Sequence, residues 1–411
     1  MRSELSSSLA LAPFVGLVVL LPYPGTVAAR LLLLVLSLAV AVRWYLRTPR
    51  QGRVLPPGKW ALLSWILVAV ASLAYTVDVR YSLGEIKNEI LYAMAAFLSF
   101  FVAAREDRRA ATIVRGLAAG IVLIGVVALY NWLRNGLVWP DSGLQGGTGS
   151  FSAYLVTVMP AVFWLTQEEA TSRCRRLAWV LMAFTLTLAF ITLQRAVWPA
   201  LVVQLLIAVW FLRSTGRLPM TRRRLAATVV AVCAIGAFAL IKSNQLRGMK
   251  DIEHLVPSAQ SLDTPIAQQN GTDGDVRISY WPAVLRRIAD HPLAGSGFGL
   301  GTLKMAYPDL VPPNFTALWH AHNVELNYAV QMGLPGALAI LALFAGFANH
   351  FRRSLRGDPA AAAAAVAGLM LLAGVLVRNQ TNDFFRRDLA LMFWCVLGMF
   401  AALSIRKESA P

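Results

Sequence analysis

The chain contains few of the residues with which enzymes bind metals or nucleotides. Three cysteines and five histidines are spread over 411 residues, and the cysteines form no C-x-x-C pair. A disulfide framework is therefore not predicted, and neither is a metal site with the usual ligand spacing. The phosphate-binding loop G-x-x-x-x-G-K-[ST] is also missing, so no cofactor is expected.

Hydrophobic residues are abundant instead and make up 57% of the chain, while charged residues account for only 14%. Apolar runs near twenty residues recur, which is about the length with which a helix crosses a bilayer. Strand-like alternation is missing, so the predicted fold class is an all-α polytopic membrane protein. About twelve transmembrane helices are predicted, at residues 8–22, 26–44, 60–77, 89–104, 111–131, 151–167, 177–193, 196–213, 225–242, 322–349, 359–377 and 388–405.

The excess of basic residues, a formal charge of +17, is concentrated in alternate loops between these runs. Cytoplasmic loops of membrane proteins are enriched in Lys and Arg, so the charge indicates topology and no nucleic-acid partner is expected. The pattern predicts a multi-pass protein with both termini in the cytoplasm. One turn on the opposite side departs from it, with Arg378, Arg386 and Arg387. The basic loops include Arg43, Arg47, Arg50, Arg53 and Lys59, then Arg105, Arg108 and Arg109, and then Arg173, Arg175 and Arg176.

The longest segment between predicted spans is residues 243–321, between spans nine and ten. The predicted orientation places it in the periplasm of a bacterial inner membrane. Its second half has apolar residues at helical spacing, which predicts an amphipathic helix at the membrane surface. These residues are Ile278, Trp281, Leu285 and Ile288. The simplest organisation is a single polytopic domain over residues 1–411 with a large helical periplasmic loop.

Polar residues mark the start of the tenth span. His322, Asn323 and Glu325 stand where a helix usually enters the membrane with apolar or interfacial residues. His322 is the candidate general base, because an imidazole group exchanges protons near neutral pH. Glu325 is a candidate to orient it, although a carboxylate at a helix N-terminus is also favoured by the helix dipole. His320 lies two residues before His322, which on a helix puts their side chains on different faces.

Two arginines and one aspartate on the same side of the membrane are further candidates. Arg195 occupies the tight turn between spans seven and eight, on the side that is otherwise poor in arginine. Arg277 begins the amphipathic helix, four residues before Trp281. Each arginine also fits a structural role, as a snorkelling side chain or a solvated helix end. Asp383, between the last two spans, is either a site residue or one half of an ion pair with a neighbouring arginine.

Taken together, these features resemble the O-antigen ligase superfamily, which also contains O-antigen polymerases and protein O-oligosaccharyltransferases. The resemblance rests on Arg195, on Arg277-x-x-x-Trp281 with the H-P-L-x-G-x-G-x-G sequence that follows, and on H-N-x9-G-x-x-G from His322. It covers roughly residues 195–336. It implies a GT-C-like glycosyltransferase, working on the periplasmic face without a metal or a nucleotide sugar.

For the ligase, the resemblance implies transfer of a glycan from undecaprenyl diphosphate to a sugar hydroxyl of lipid A-core, with inversion at the anomeric carbon. His322 would act as general base. Arg195 and Arg277 would bind the donor diphosphate, since guanidinium groups pair with phosphate oxygens in a bidentate manner. The expected supporting residues are Asn323, Glu325, Trp281 and Asp383. The implied partners are undecaprenyl diphosphate-linked O-antigen, the lipid A-core acceptor and membrane lipids.

The ligase is preferred over the polymerase and the protein glycosyltransferase on two observations. A large loop directly precedes the H-N motif, and the chain ends soon after the last span, without a C-terminal domain of the kind that many protein-targeting relatives carry. From another class, a transporter or flippase of lipid-linked glycans is the alternative. It is disfavoured because the spans carry few charges near their centres and the two halves of the chain do not match.

Overall fold

The protein is described by a computed structural model that covers residues 2–140, 143–168, 171–216, 221–255, 276–310, 320–381, 383, 385 and 387–405. Regular secondary structure in these ranges is helical. A π-helical segment, Ile86–Leu91, joins α4 to α5. The α-helices are α1 (Arg2–Leu20), α2 (Val27–Arg47), α3 (Lys59–Ala71), α4 (Val79–Glu85), α5 (Tyr92–Ala103), α6 (Asp107–Arg134), α7 (Thr148–Glu168), α8 (Ser172–Ile191), α9 (Val197–Ser214), α10 (Arg222–Leu255), α11 (Val276–Asp290), α12 (Thr302–Ala306), α13 (Val324–Ser354), α14 (Pro359–Arg378) and α15 (Arg387–Leu403).

Eight helical segments in the described ranges are long and apolar enough to cross a membrane. Four shorter apolar segments accompany them, at Leu9–Leu20, Lys59–Ala74, Ala226–Lys242 and Asp388–Leu403. Every one of the twelve predicted spans falls on one of these segments. The prediction of a polytopic all-α membrane protein is therefore confirmed, while the number of helices that cross the bilayer stays a prediction.

The outward-facing surface of the helices is apolar. Leu32 and Val35 on α2, Val126 on α6 and Val180 on α8 are each more than half exposed. Such a density of exposed aliphatic side chains is unfavourable in water and favourable against lipid chains. The exposed faces of these helices therefore form the lipid-facing surface of a multi-pass membrane protein.

Helix α14 lies at the centre of the bundle, packed against α7, α9, α13 and α15. Its first half is a run of buried alanines, from Ala361 to Ala365, and the helix also contains Gly368. Small residues let the neighbouring helix backbones approach closely, which is how helices associate in a membrane without a hydrophobic driving force. Buried Gln204 on α9 hydrogen-bonds with its Nε2 to the backbone oxygens of Val156 and Met370, at 2.8 and 3.0 Å, and so ties α9 to α7 and α14.

The predicted periplasmic loop is only partly within the described residues. Helix α10 continues to Leu255, thirteen residues beyond the predicted end of span nine at residue 242, and residues 256–275 lie outside the described ranges. The predicted amphipathic helix is present as α11. Trp281 and Ile288 pack against α13 together with Val284, while Leu285 is exposed. The location of α11 at the membrane surface stays a prediction.

The bundle has two ends with different side chains. At one end, which we call the histidine end, α13 begins next to the end of α14, where the Val324 backbone N–H donates to the Asn379 carbonyl at 3.2 Å. At the other, which we call the arginine end, the starts of α6 and α14 and the end of α15 surround one cavity, lined by Asp107, Arg108, Ala360 and Leu403.

Candidate active site

His322 lies in a short loop that turns back on itself just before α13. Its φ is +52°, a left-handed conformation that residues other than glycine rarely adopt. The His322 backbone N–H donates to Nδ1 of His320 at 3.1 Å, and the two ring centroids are 3.8 Å apart. The prediction that these side chains lie on different helix faces is therefore wrong. Helix α13 begins only at Val324, and the left-handed turn before it brings the rings together.

The two histidines differ in accessibility. His320 is buried, whereas His322 is only partly buried. His322 is therefore the ring of the pair that a substrate can reach more easily.

A buried amide and a buried carboxylate fix this loop through hydrogen bonds. Asn327, one turn into α13, donates from Nδ2 to Oδ2 of Asp383 at 2.6 Å and accepts the Ala321 backbone N–H at 2.7 Å. The other Asp383 oxygen accepts the Phe385 backbone N–H at 2.8 Å. Both Asn327 and Asp383 are buried. Asp383 thus lies next to the predicted site and holds the histidine loop through Asn327.

Asn323 caps the first turn of α13 and connects it to the end of α14. Its Oδ1 accepts the Leu326 backbone N–H at 2.9 Å, which satisfies one of the free N–H groups at a helix start. Its Nδ2 donates to Oε1 of Gln380 at 3.1 Å, and Gln380 Nε2 donates to Oε1 of Glu325 at 2.9 Å. Glu325 is therefore held by Gln380, and its predicted role in orienting His322 stays a prediction.

Trp281 ties the amphipathic helix α11 to the histidine loop. Its indole Nε1 donates to the backbone oxygen of Ala321, the residue between the two histidines, at 2.8 Å. Arg277 lies four residues earlier on α11, and residues four apart share a helix face. Arg277 is thus about one helical turn from Trp281 along α11, although its side chain is outside the described set.

The glycine-rich turn packs against a kink in α13. Gly333 breaks the helical geometry with φ +70° and ψ −173°, a conformation that is essentially restricted to glycine. The backbone oxygens of Val330 and Gln331 accept N–H groups from Ser296 and Gly297, at 2.8 and 2.9 Å. At the kink, these α13 carbonyl groups are free to accept hydrogen bonds from the glycine-rich turn. The bonds fix the segment between α11 and α12 to the bundle.

Arg195 is exposed in the turn between α8 and α9, at the histidine end. This turn is strained, because Leu193 has a φ of +51°. Gln194 Nε2 donates to Oγ1 of Thr148, the first residue of α7, at 2.6 Å. The turn that carries Arg195 is therefore fixed to the start of α7.

Another arginine, Arg378, contacts the start of α7 with its own side chain. Arg378, at the end of α14, is 2% exposed and donates from Nη2 to Oγ of Ser152 at 3.3 Å. Ser152 lies one turn after Thr148, so the Arg195 turn and the end of α14 share one face of α7. Through Asn379 and Gln380, the same end of α14 contacts the start of α13.

Sequence patterns alone did not identify Asn327 or Gln380, and they indicated Arg378 as an exception among the loop charges and a possible partner of Asp383. Asn327 and Gln331 are amides inside an otherwise apolar span, which was the available signal. Gln380 lies 57 residues from Asn323 and 55 from Glu325, so its contacts with the start of α13 depend on the packing of α14. The predicted Asn323, Trp281 and Asp383 all contact the histidine loop or the first turn of α13.

A comparison with protein families matches residues 177–341 to the family described as O-antigen ligase. The matched segment includes Arg195, the glycine-rich turn, His322 and the kink at Gly333, while Asp383 lies beyond it. No curated protein matches the chain. The matched segment contains most of the residues on which the sequence resemblance rests, so residues 177–341 are similar to the O-antigen ligase family, as the sequence predicted.

Proposed function

We propose that this protein is an O-antigen ligase of the bacterial inner membrane. It transfers a glycan from undecaprenyl diphosphate to a sugar hydroxyl of lipid A-core on the periplasmic face. The observation that carries the proposal is the histidine loop, in which a strained, partly exposed His322 is braced by buried polar groups at the end of a membrane bundle. Strain of this kind persists where surrounding contacts fix it, and it is concentrated at functional sites.

In the proposed reaction, His322 removes the proton from the acceptor hydroxyl. The oxygen attacks the anomeric carbon from the face opposite the diphosphate, the bond from that carbon to the diphosphate oxygen breaks, and configuration inverts. The proton stays on His322 until it passes to water or to the departing diphosphate. General-base catalysis of this kind contributes about 100-fold to 10,000-fold in rate.

Glu325 contributes a further acceptor near His322. Its Oε1 is held by Gln380, while Oε2 is buried and has no hydrogen-bond partner among the described residues. A carboxylate oxygen in this state favours a bound hydroxyl, because an unsatisfied buried acceptor costs about 1–3 kcal/mol. We assign Glu325 to positioning the acceptor sugar.

The leaving diphosphate needs positive charge, which Arg195 and Arg277 supply in this proposal. The Arg195 guanidinium is exposed on a turn fixed to α7, and Arg277 is one turn from the tryptophan that contacts the histidine loop. One guanidinium group can bind two phosphate oxygens at once. In a poorly solvated site, such contacts stabilise the charge on the leaving group by several kcal/mol. Arg378 lies on the same face of α7 and adds to the positive potential there.

The test is deletion of the gene in its host, followed by complementation and a lipopolysaccharide gel. We expect the deletion strain to make lipid A-core without polymer, with glycan accumulating on the lipid carrier. Wild-type protein and His350→Ala restore the ladder, because His350 lies near the end of α13 at the arginine end, remote from the histidine loop. His322→Ala reduces transfer by about 100-fold or more, the loss expected for a general base.

Matched arginine variants test the diphosphate site in the same strain. Arg195→Ala reduces transfer, and Arg134→Ala, an exposed arginine that ends α6 at the same end of the bundle, leaves it unchanged. Core that carries a single repeat unit in the deletion strain would identify a polymerase instead. An unchanged ladder would reject both and favour protein glycosylation or transport of the glycan.

A further inference from the structure

A second concentration of arginines lies at the arginine end of the bundle, remote from His322. The end of α2, the end of α5 and the start of α6 enclose a cavity of about 650 Å³. Five arginines line it, and Glu106 is the single carboxylate among the described lining residues. The five are Arg43, Arg47, Arg53, Arg105 and Arg109.

Two of the five are already fixed in place. Arg109 binds Glu106 with Nη2 at 2.7 Å, and its guanidinium lies 4.0 Å from the ring centroid of Trp44. Arg53 donates to the backbone oxygens of Thr48 and Leu46, each at 3.1 Å. Among the described lining residues, these contacts use the one carboxylate, and they leave the cavity positively charged.

The other three arginines differ from Arg109, which pairs with Glu106. Within the described part of the chain, Arg43, Arg47 and Arg105 form no ion pair, although they line the same cavity. Partial burial lowers the pKa of the Arg105 guanidinium, because desolvation disfavours its charged form. Topology requires only that a loop be basic, and it does not require five guanidinium groups around one cavity.

We propose that this cavity binds the phosphate of an anionic phospholipid headgroup. Phosphate matches the fork of a guanidinium group, and basic cavities between membrane helices bind such headgroups. The lipid source is favoured by what flanks the cavity, because Val42 and Leu46 on α2 are exposed apolar side chains next to it. Trp44 and Tyr45 line the cavity and are of the type enriched at the membrane–water interface.

The experiment measures the binding of phosphatidylglycerol to the purified full-length protein by native mass spectrometry, with phosphatidylcholine as the reference lipid. We expect phosphatidylglycerol to bind preferentially to wild-type protein and to raise its unfolding temperature more than phosphatidylcholine does. The combined variant Arg43→Gln/Arg47→Gln/Arg105→Gln loses about tenfold or more in affinity, because each arginine at a headgroup contributes a separate attraction.

The control removes three exposed arginines from the same end of the bundle. Arg173→Gln/Arg175→Gln/Arg176→Gln, at the start of α8, keeps the preference within about twofold, because charges outside the cavity are screened by solvent. An equal loss in both variants would overturn the proposal, since it would mean general surface attraction. Full stabilisation by inorganic phosphate alone would overturn the lipid source.

A third arm needs no variant and stays decisive if three substitutions prevent folding. High salt reduces the preference of wild-type protein for phosphatidylglycerol if guanidinium–phosphate attraction carries it. Equal binding of the two lipids by wild-type protein at low salt would overturn the proposal outright. None of these measurements depends on glycan transfer. The lipid-binding proposal is therefore tested independently of the function proposed for the histidine end.

Discussion

Asn327 is the residue on which the geometry of the histidine loop depends most. A single amide accepts the N–H between the two histidines and donates to a buried carboxylate, so it links the loop to the segment after α14. Catalytic groups must be held to within a fraction of an ångström, and buried hydrogen bonds provide that restraint. A change at Asn327 should therefore affect the reaction more than it affects the fold.

We expect Asn327→Ala to lower transfer by about tenfold or more and to destabilise the protein by about 1–3 kcal/mol, since it leaves the Asp383 carboxylate and the Ala321 N–H unsatisfied. Thermal unfolding in detergent and a transfer assay measure the two effects. Asn349→Ala, on the same helix at the arginine end, is the control, because among the described residues the Asn349 side chain hydrogen-bonds with exposed Arg352 and lies far from the histidine loop. Wild-type transfer by Asn327→Ala would mean that the loop holds its shape without the amide.

At the scale of the element, α13 combines two functions that need different backbone geometry. Its first turn presents the histidine loop, and its kink at Gly333 offers carbonyl groups to the glycine-rich turn. The helix is broken at Gly333, whose φ of +70° and ψ of −173° depart from helical geometry. Which groups meet at the kink could not be predicted, because the partners Ser296 and Gly297 are more than thirty residues away.

Gly333→Ala should destabilise the protein. The backbone at Gly333 is one that other residues avoid, at a cost of about 1–3 kcal/mol. An added Cβ would also lie 2.6 Å from the Leu293 backbone carbon, which has no side-chain freedom to move. Differential scanning fluorimetry of the detergent-solubilised protein should show a lower unfolding temperature.

Gly346→Ala is the matched control on the same helix. Its added Cβ would meet the Ala61 Cβ at 3.4 Å, an ordinary contact, in regular helical geometry. Alanine in a helix interior is favoured over glycine by about 0.5–1 kcal/mol, so this variant should keep or raise the unfolding temperature. Equal destabilisation by both substitutions would show that α13 is sensitive to any added volume and that the kink is not special.

Helix positions followed from the sequence because membrane helices need about twenty apolar residues, and run length alone identifies such segments. Site residues could be predicted where a polar side chain occurs at the start of an apolar span, as His322 and Asn323 do. The ring contact of His320 and His322 could not be predicted, because it depends on a left-handed φ that no local signal encodes. Contacts of Arg378 depend on how α14 packs on α7, which sequence spacing does not specify.

For the whole molecule, charge and helix packing lead to the same division into two ends. The arginine-rich loops before α3, α6 and α8 lie at the end remote from His322, as the loop charges predicted. Arg195, Arg378 and the start of α13 lie at the histidine end. Because cytoplasmic loops attract the basic residues, the arginine end is expected to face the cytoplasm and the histidine end the periplasm.

Cysteine labelling in intact cells tests this orientation with residues that the chain already offers. Cys174 is exposed at the start of α8, at the arginine end, and we expect a membrane-impermeant maleimide to reach it only after the membrane is opened. Cys233 is also exposed, so both labelling variants carry Cys233→Ser. Asn135→Cys, in a Cys174→Ser/Cys233→Ser background, places a thiol just after α6 at the histidine end, where it should react in intact cells. Cys395 is buried and serves as the unreactive internal control. Labelling of Cys174 in intact cells, with Asn135→Cys protected, would place His322 in the cytoplasm, where a ligase acting on the periplasmic face could not use it.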